Sequence, residues 1–555
     1  MSDNYVYNAA GLLAIVIVGA LLIKVVKALL ISTPTIDVLG PEGLKAQDKT
    51  VNGSSSARAA TQVVCTDPAT GEVICELPAM TAAQVNERIT QARQAAEVWR
   101  RSSFKQRKLL LRIMLKYIVS HQDEICRVAA RDSGKPLVDA AFGEVMVTCE
   151  KIAWILSEGE RWLKPEKRSA GAMMFYKAAR VEFHPVGVVG AIVPWNYPFH
   201  NVFNPLTAAL FAGNALVIKV SEHASWSSLY YGRIIEAALQ AAGAPKGLVQ
   251  IITGYAEAGE ALTKGQVDKI IFVGSTQVGR HVMRAAADRL TPVTLELGGK
   301  DAFIVCPDAD LNQAVPTALR GAFQSCGQNC AGAERFIVHS DVHDTFVQRV
   351  AETTNRLRQG PPLGQGMVDA GAMCLPGLAD KVAELVDDAV AQGAKVLAGG
   401  KVVHPAGAPG GQFYAPTVLV GVTPSMRIWQ EEVFGPVLAV ARCSSDAEAV
   451  QLANSCPFGL GSAVFSRSQR RANAIASQLR VGMTSINDFA TTYMCQSLPF
   501  GGVKESGFGR FAGIEGLRAL CVTKAVAEDR VPWLMKTTIP PMLQYPESKE
   551  DKLGH

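Results

Sequence analysis

The stretch that decides the fold is "VGVVGAIVPWNYPFHNVFNPLTAALFAGNALVIKVSE", residues 186–222. Two short β-branched runs, "VGVVGAIV" and "ALVIKV", stand on either side of a longer helical stretch. Two further runs of the same kind, "LVQII" and "KIIFV", follow downstream. Uniformly apolar strands separated by helices predict a parallel sheet covered on both faces. Such a doubly wound sheet binds nucleotides beyond the carboxyl ends of its strands.

The usual dinucleotide fingerprint G-x-G-x-x-G is absent. "GSTQVG" (274–279) follows "KIIFV" instead and enters a helix. A glycine at a strand end opening a helix lets a pyrophosphate approach backbone N–H groups. Many αβ turns contain glycine, so this motif alone identifies nothing. Upstream, Val85, Ile89, Ala92, Ala96 and Trp99 recur at three- and four-residue steps and predict an amphipathic helix from about residue 82. A second helix runs through Leu109, Ile113 and Tyr117. After Glu296 a second strand series, "AFIV", "RFIVH", "TVLV", "VLAVA" and "SAVF", predicts a second α/β domain.

A chain of 555 residues is too long for one compact core. Hydrophobic content of 48% with 19% charged residues describes a globular protein. A net charge of +5, with no aromatic-studded basic stripe, argues against a nucleic-acid partner. The 12 cysteines include no C-x-x-C pair, which argues against zinc ribbons and dithiol redox motifs. His339 and His343 flank a strand end and read as an ordinary exposed turn, so no metal site is expected.

Residues 9–31, "AAGLLAIVIVGALLIKVVKALLI", are long enough to cross a bilayer core of about 30 Å, with Lys24 and Lys27 near one face. The only charge before the run is Asp3, which is not the positive n-region of a cleaved signal. Positive charges follow the run, so the rest of the chain is expected to face the cytosol from a single-pass anchor. The expected compartment is the endoplasmic reticulum or another endomembrane. Residues 32–60 read as a linker and 526–555 as a proline-broken tail.

The second domain holds "FQSCGQNCAGAERF", residues 323–336, with Cys326 and Cys330 four apart. From the residues alone this is a metal clip, a redox pair, a packed turn or a nucleophile with a bystander. Seven segments in order decide between these readings: "PWNYP" (194–198), "VIKVSE" (217–222), "FVGSTQVG" (272–279), "LELGGKD" (295–301), "GQNCAGAER" (327–335), "EEVFGPV" (431–437) and "PFGGVKESGFGR" (499–510). Together, over roughly residues 60–525, the chain resembles the NAD(P)-dependent aldehyde dehydrogenase superfamily. It is most similar to the membrane-anchored plant and fungal group called family 22.

The resemblance implies an α/β fold. It comprises a nucleotide-binding domain (61–167 and 186–295), a catalytic domain (296–483) and a small β oligomerisation arm (168–185 and 484–525), behind the transmembrane helix. It implies NAD-dependent oxidation of an aldehyde to a carboxylic acid. Cys330 is then the nucleophile, since a thiolate attacks a carbonyl readily at neutral pH. Asn196 and the Cys330 N–H become the oxyanion donors, and Glu296 the base that activates water against the thioester. A scaffold without turnover would be expected to have lost one of these three residues.

The cofactor residues implied are Trp195, Lys219, Glu222, Gly254, Gly274, Ser275, Gly279, Leu297, Glu432 and Phe434. A carboxylate at Glu222 accepts ribose hydroxyls and repels a 2′-phosphate, which favours NAD over NADP. A homodimer or homotetramer is implied as well. Two positions depart from the common pattern: Pro205 stands where many members carry lysine, and Phe511 where a glutamate commonly follows the final Gly-Arg. "WNYPF" with Pro205 resembles the branch that oxidises medium- to long-chain and aromatic aldehydes.

Overall fold

A computed structural model of the chain describes residues 33–41, 61–535, 537–539, 543 and 545. The expected membrane anchor at 9–31 and most of the linker lie outside the described residues. Among the described residues, no helix is long and apolar enough to cross a membrane.

Five parallel strands form the first sheet: β1 (Val188–Val193), β2 (Ala215–Val220), β3 (Val249–Ile252), β4 (Lys269–Val273) and β5 (Val293–Glu296). Their spatial order is β5-β4-β1-β2-β3. All six residues of β2 are buried, as a strand covered on both faces requires. Helix α1 (Pro198–Ala212) joins β1 to β2; it opens with proline in its first turn and stops at Gly213, whose φ is 94°. Helix α2 (Thr276–Ala287) follows β4, with Ser275 as its N-cap accepting from the Val278 N–H. Of the helices expected upstream, Ala82–Trp99 buries Val85, Ile89, Ala92, Ala96 and Trp99, the periodic set read from the sequence. Trp99 donates its indole N–H to the Leu210 carbonyl of α1 at 2.9 Å, which ties that helix to the sheet.

The second sheet has seven strands and contains all five runs of the second series. Its centre is β6 (Asp301–Val305) beside β7 (Ala333–His339), with helix α3 (Leu311–Phe323) between them in sequence. Apolar clusters cover both faces of this sheet. Two edge strands escaped the sequence pattern: Lys395–Ala398, which is mostly exposed and antiparallel, and the two-residue Ser485–Ile486.

A third sheet is antiparallel: Glu166–Arg168, Lys177–Pro185 and Cys521–Asp529. The arm expected at 168–185 and 484–525 therefore differs in its second part. Residues 485–486 pair in the seven-stranded sheet, and Gly507–Phe508 pair antiparallel with Leu295 and Glu296 at the edge of the first. The chain crosses back between the two sheets before it joins the arm. Each crossing satisfies an open strand edge that would otherwise leave backbone groups unpaired.

Candidate active site

The nucleophile turn follows α3. Ser325, Cys326 and Gly327 have φ of 51°, 59° and 71°, three consecutive left-handed residues. Only glycine fits the third position, because a Cβ on Gly327 would lie 2.1 Å from the Gly435 carbonyl oxygen. Left-handed serine and cysteine each cost about 1–2 kcal/mol, so the surroundings must hold them. Buried Asp139 does part of this: one oxygen accepts from the Ser325 N–H at 2.8 Å, the other from Arg320 at 2.8 Å. Gln328 accepts from the Cys374 N–H at 2.8 Å and donates to the Ser325 carbonyl at 3.0 Å.

Beyond the turn, Cys330 meets Asn196 and Glu296 in the wall of one cavity of about 620 Å³. The rest of that wall is largely apolar, with Phe142, Met146, Phe489, Phe500 and Phe511 among its residues. Cys326 points elsewhere. Its thiol is buried, meets the Gly371 carbonyl at 3.6 Å, and packs in a different apolar cluster from Cys330. Burial pushes the Cys326 thiol up to about 12, and it stands outside the cavity wall that Cys330 joins, so it is the bystander of the two.

Asn196 is held at three points. Its Nδ2 donates to the Gln328 carbonyl at 3.2 Å, its Oδ1 accepts from Asn201 at 3.1 Å, and its backbone carbonyl accepts from Lys135 at 2.6 Å. One N–H of the amide is used on Gln328, which leaves the second for a substrate oxygen. Glu296 is almost fully buried, and neither carboxylate oxygen has a hydrogen-bond partner among the described residues. Burial raises its pKa to about 7; the Cys330 thiol and Gly298 N–H lie close enough to favour the carboxylate without reaching hydrogen-bond geometry. Burial first, then the neighbouring Glu296, drives the Cys330 thiol well above its ordinary value.

Two buried ion pairs brace the loops around the cavity, and sequence reading missed both. Lys135 and Glu144 meet at 2.6 Å with almost no exposure. Glu144 also accepts the Phe199 and His200 N–H groups at the start of α1, at 3.1 and 2.8 Å. Lys135 lies 3.9 Å from the Tyr197 ring centroid. In the catalytic half, Lys300 and Glu334 meet at 2.5 Å. Glu334 accepts the N–H groups of Val433 and Phe434 at 2.9 and 3.0 Å, which fixes the loop carrying Glu432. Lys300 and Glu334 stand inside "LELGGKD" and "GQNCAGAER", so the motifs held them unread. Lys135 and Glu144 carry no local signal.

Most of the residues assigned to the cofactor lie near the carboxyl ends of the first sheet's strands, while Glu432 and Phe434 come from a loop that leads into the second sheet. Trp195 comes after β1 and packs edge-on against Phe434 at 5.5 Å. Lys219 is the last residue but one of β2, and its Nζ meets Glu222 at 3.2 Å. Gly274 and Ser275 link β4 to α2, whose first turn offers free backbone N–H groups. Gly279 brings α2 against β5's continuation: a Cβ there would lie 2.3 Å from a Leu297 methyl. Gly254, with φ of 139°, is accounted for by its backbone and by the Ala258 Cβ, which a side chain would meet at 3.0 Å. Glu432 is half-buried beside Gly299, accepts its N–H at 3.0 Å, and is pushed up to about 8 by desolvation and by Glu334. A half-buried carboxyl with one partner among the described residues, a helix start and a Lys–Glu pair fit a dinucleotide.

Pro205 and Phe511, the two departures, line the same cavity. Behind Phe511, the buried Lys151 donates to its carbonyl at 3.1 Å, and burial lowers that amine to about 7.

The model of the aldehyde dehydrogenase family matches residues 55–526. An aldehyde dehydrogenase-like protein of Saccharomyces cerevisiae is 44% identical over 87% of this chain and 77% of its own length. The 4,4'-diapolycopene aldehyde oxidase of a Methylomonas species is 36% identical over 82% of this chain and 84% of its own. The crystal structure of PnpE in complex with nicotinamide adenine dinucleotide superimposes with a TM-score of 0.81 at 33% identity, covering 87% of this chain and 96% of that one. By family model, by relatives and by fold, the chain belongs to the aldehyde dehydrogenase family.

Proposed function

We propose that the protein oxidises a predominantly apolar aldehyde to the carboxylic acid, with NAD in preference to NADP. The observation that supports this reading is the meeting of Cys330, Asn196 and Glu296 in one largely apolar cavity. The Cys330 thiol gives up its proton to solvent as its sulfur attacks the aldehyde carbon. The free N–H of Asn196 and the Cys330 backbone N–H hold the resulting oxyanion. NAD, when bound, would supply the hydride acceptor that oxidation of this adduct to the thioester requires. Glu296 takes a proton from water as the water attacks the thioester carbon, and returns it to the Cys330 sulfur as that sulfur leaves. In this reading the Trp195–Phe434 contact and Glu432 would orient the nicotinamide end, and Glu222 would exclude a 2′-phosphate.

We assign membrane attachment to residues 9–31, on the strength of the uncharged run ending at Lys24 and Lys27. The three-stranded sheet, with Val522 and nearby Phe175 exposed, is assigned to self-association. The deciding experiment is NADH formation by the purified protein over a panel of straight-chain and aromatic aldehydes, with Cys330→Ser beside it. NADH formation abolished by that substitution is expected; undiminished turnover would sink the mechanism. Removal of residues 1–31 is expected to release an active soluble enzyme, and persistent membrane association would shift the attachment to another segment.

A further inference from the structure

The cavity wall carries polar side chains that the chemistry above does not use. Helix α1 turns one face to the cavity, with His200 and Asn204 four residues apart and therefore neighbours on that face. His200 is buried and joined at both ring nitrogens: Nδ1 to the Thr148 hydroxyl at 2.8 Å, and Nε2 to the Tyr493 hydroxyl. Burial, with Lys151 and Lys135 nearby, keeps the imidazole neutral. One of these two hydroxyls donates to the imidazole and the other accepts from it. Either way the Tyr493 oxygen, held by that bond, keeps capacity for a second hydrogen bond, and Tyr493 also lines the cavity.

Asn204 is the second observation. Its side chain is 7% exposed and lines the cavity, and no hydrogen bond reaches its amide among the described residues. The amide faces the cavity, so a polar group bound there can take up its hydrogen bonds. Asn204 offers a carbonyl acceptor and an amide donor one helical turn from the histidine that holds the Tyr493 hydroxyl. A hydroxyl, which both donates and accepts, answers the two together; a hydrocarbon answers neither.

We infer that the cavity selects aldehydes whose apolar body carries a hydroxyl, received by Asn204 and Tyr493, with His200 as a positioning residue for the phenol. This rests on the reading of the cavity as the aldehyde site. It narrows the substrate class from apolar aldehydes to oxygenated ones. A site that hydrogen-bonds a substrate hydroxyl discriminates against the analogue that lacks it, because its own polar groups are then left unpaired.

The test is binding of unreactive analogues to the full-length protein by calorimetry. The probes are octan-1-ols bearing either a hydroxyl or a methyl at carbon 3, 4, 5 or 6, so each pair differs in polarity and little in size. At one position the hydroxyl compound is expected to bind about tenfold more tightly than its methyl counterpart. Asn204→Leu and Tyr493→Phe should each erase most of that ratio, with NAD binding retained as the check on folding; if one variant misfolds, the other decides. Equal or tighter binding of the methyl compounds at every position would overturn the inference, as would no measurable binding of any probe. A hydroxyl preference that survives both substitutions would overturn the assignment to these residues. The reading of the reaction fails separately: a hydroxyl preference without NADH formation from any aldehyde removes the oxidation and leaves the pocket. NADH formation without a preference does the reverse.

Discussion

Glu296→Gln tests the site on two independent readouts. The carboxyl is buried with no hydrogen-bond partner, and its pKa stands at about 7 against an ordinary 4.5. As the base toward water it must be ionised, and about 9% is ionised at pH 6 against about 91% at pH 8. Thioester hydrolysis in the native protein is therefore expected to rise about tenfold across that interval. The glutamine variant should release about one NADH per active site in a burst and then turn over roughly 10²- to 10⁴-fold more slowly, without that pH limb.

Stability moves the other way. The folded pKa is raised, so between about pH 4.5 and 7 the unfolded chain releases a proton that the folded chain retains, and stability falls as pH rises through that window. Ionising the buried carboxyl costs the fold roughly 3 kcal/mol by pH 8. Glu296→Gln removes the cost, so thermal unfolding should show the variant more stable at pH 8 and matched to the native protein at pH 4. Rapid-quench measurement of the burst, with melting curves at both pH values, reads the two effects. A variant with no burst, an unchanged steady rate and the native pH profile would refute the reasoning.

Lys135→Met leaves the Glu144 carboxyl buried without its cation and should destabilise the protein by about 3–5 kcal/mol in urea unfolding. The double variant Lys135→Met with Glu144→Gln should recover most of that loss. Gly327→Ala drives a Cβ into the Gly435 carbonyl at a left-handed position, and turnover is expected to fall at least about a hundredfold. NAD binding by fluorescence should persist, because the first sheet is untouched. Glu222→Gln removes the carboxylate beside Lys219, and the ratio of kcat/KM for NADP over NAD is expected to rise about ten- to a hundredfold.

Much of the fold was legible because parallel strands buried on both faces read as unbroken apolar runs; "ALVIKV" and "KIIFV" needed no other signal. Trp99 and its helix were legible from spacing alone. Lys395–Ala398 was not, because its apolar run is only three residues long and stands mostly exposed at a sheet edge. Gly507–Phe508 is too short for any periodicity. At the site, Cys330, Asn196 and Glu296 stood in motifs. The Lys135–Glu144 brace is a matter of three-dimensional pairing between residues whose spacing marks no shared face. Asn204 was read only as part of a helix; its lack of partners exists only once the cavity does. The apolar run 9–31 was legible as composition and lies outside the described residues.

The pairing of Gly507 with Glu296 carries a consequence for how the protein is made. The strand that ends in Glu296 has its outer edge closed by Gly507 and Phe508, and the Ser506 carbonyl accepts the Leu297 N–H at 3.1 Å. A ribosome must add about 180 residues after Cys330 before that edge arrives, which takes roughly 10–35 s at 5–20 residues per second. Through that interval the thiol exists without the clamp behind its base. A nascent chain is thus expected to stay chemically silent until synthesis is almost finished, and truncation between residues 331 and 506 is expected to leave a protein with its motif cysteine and no competent site.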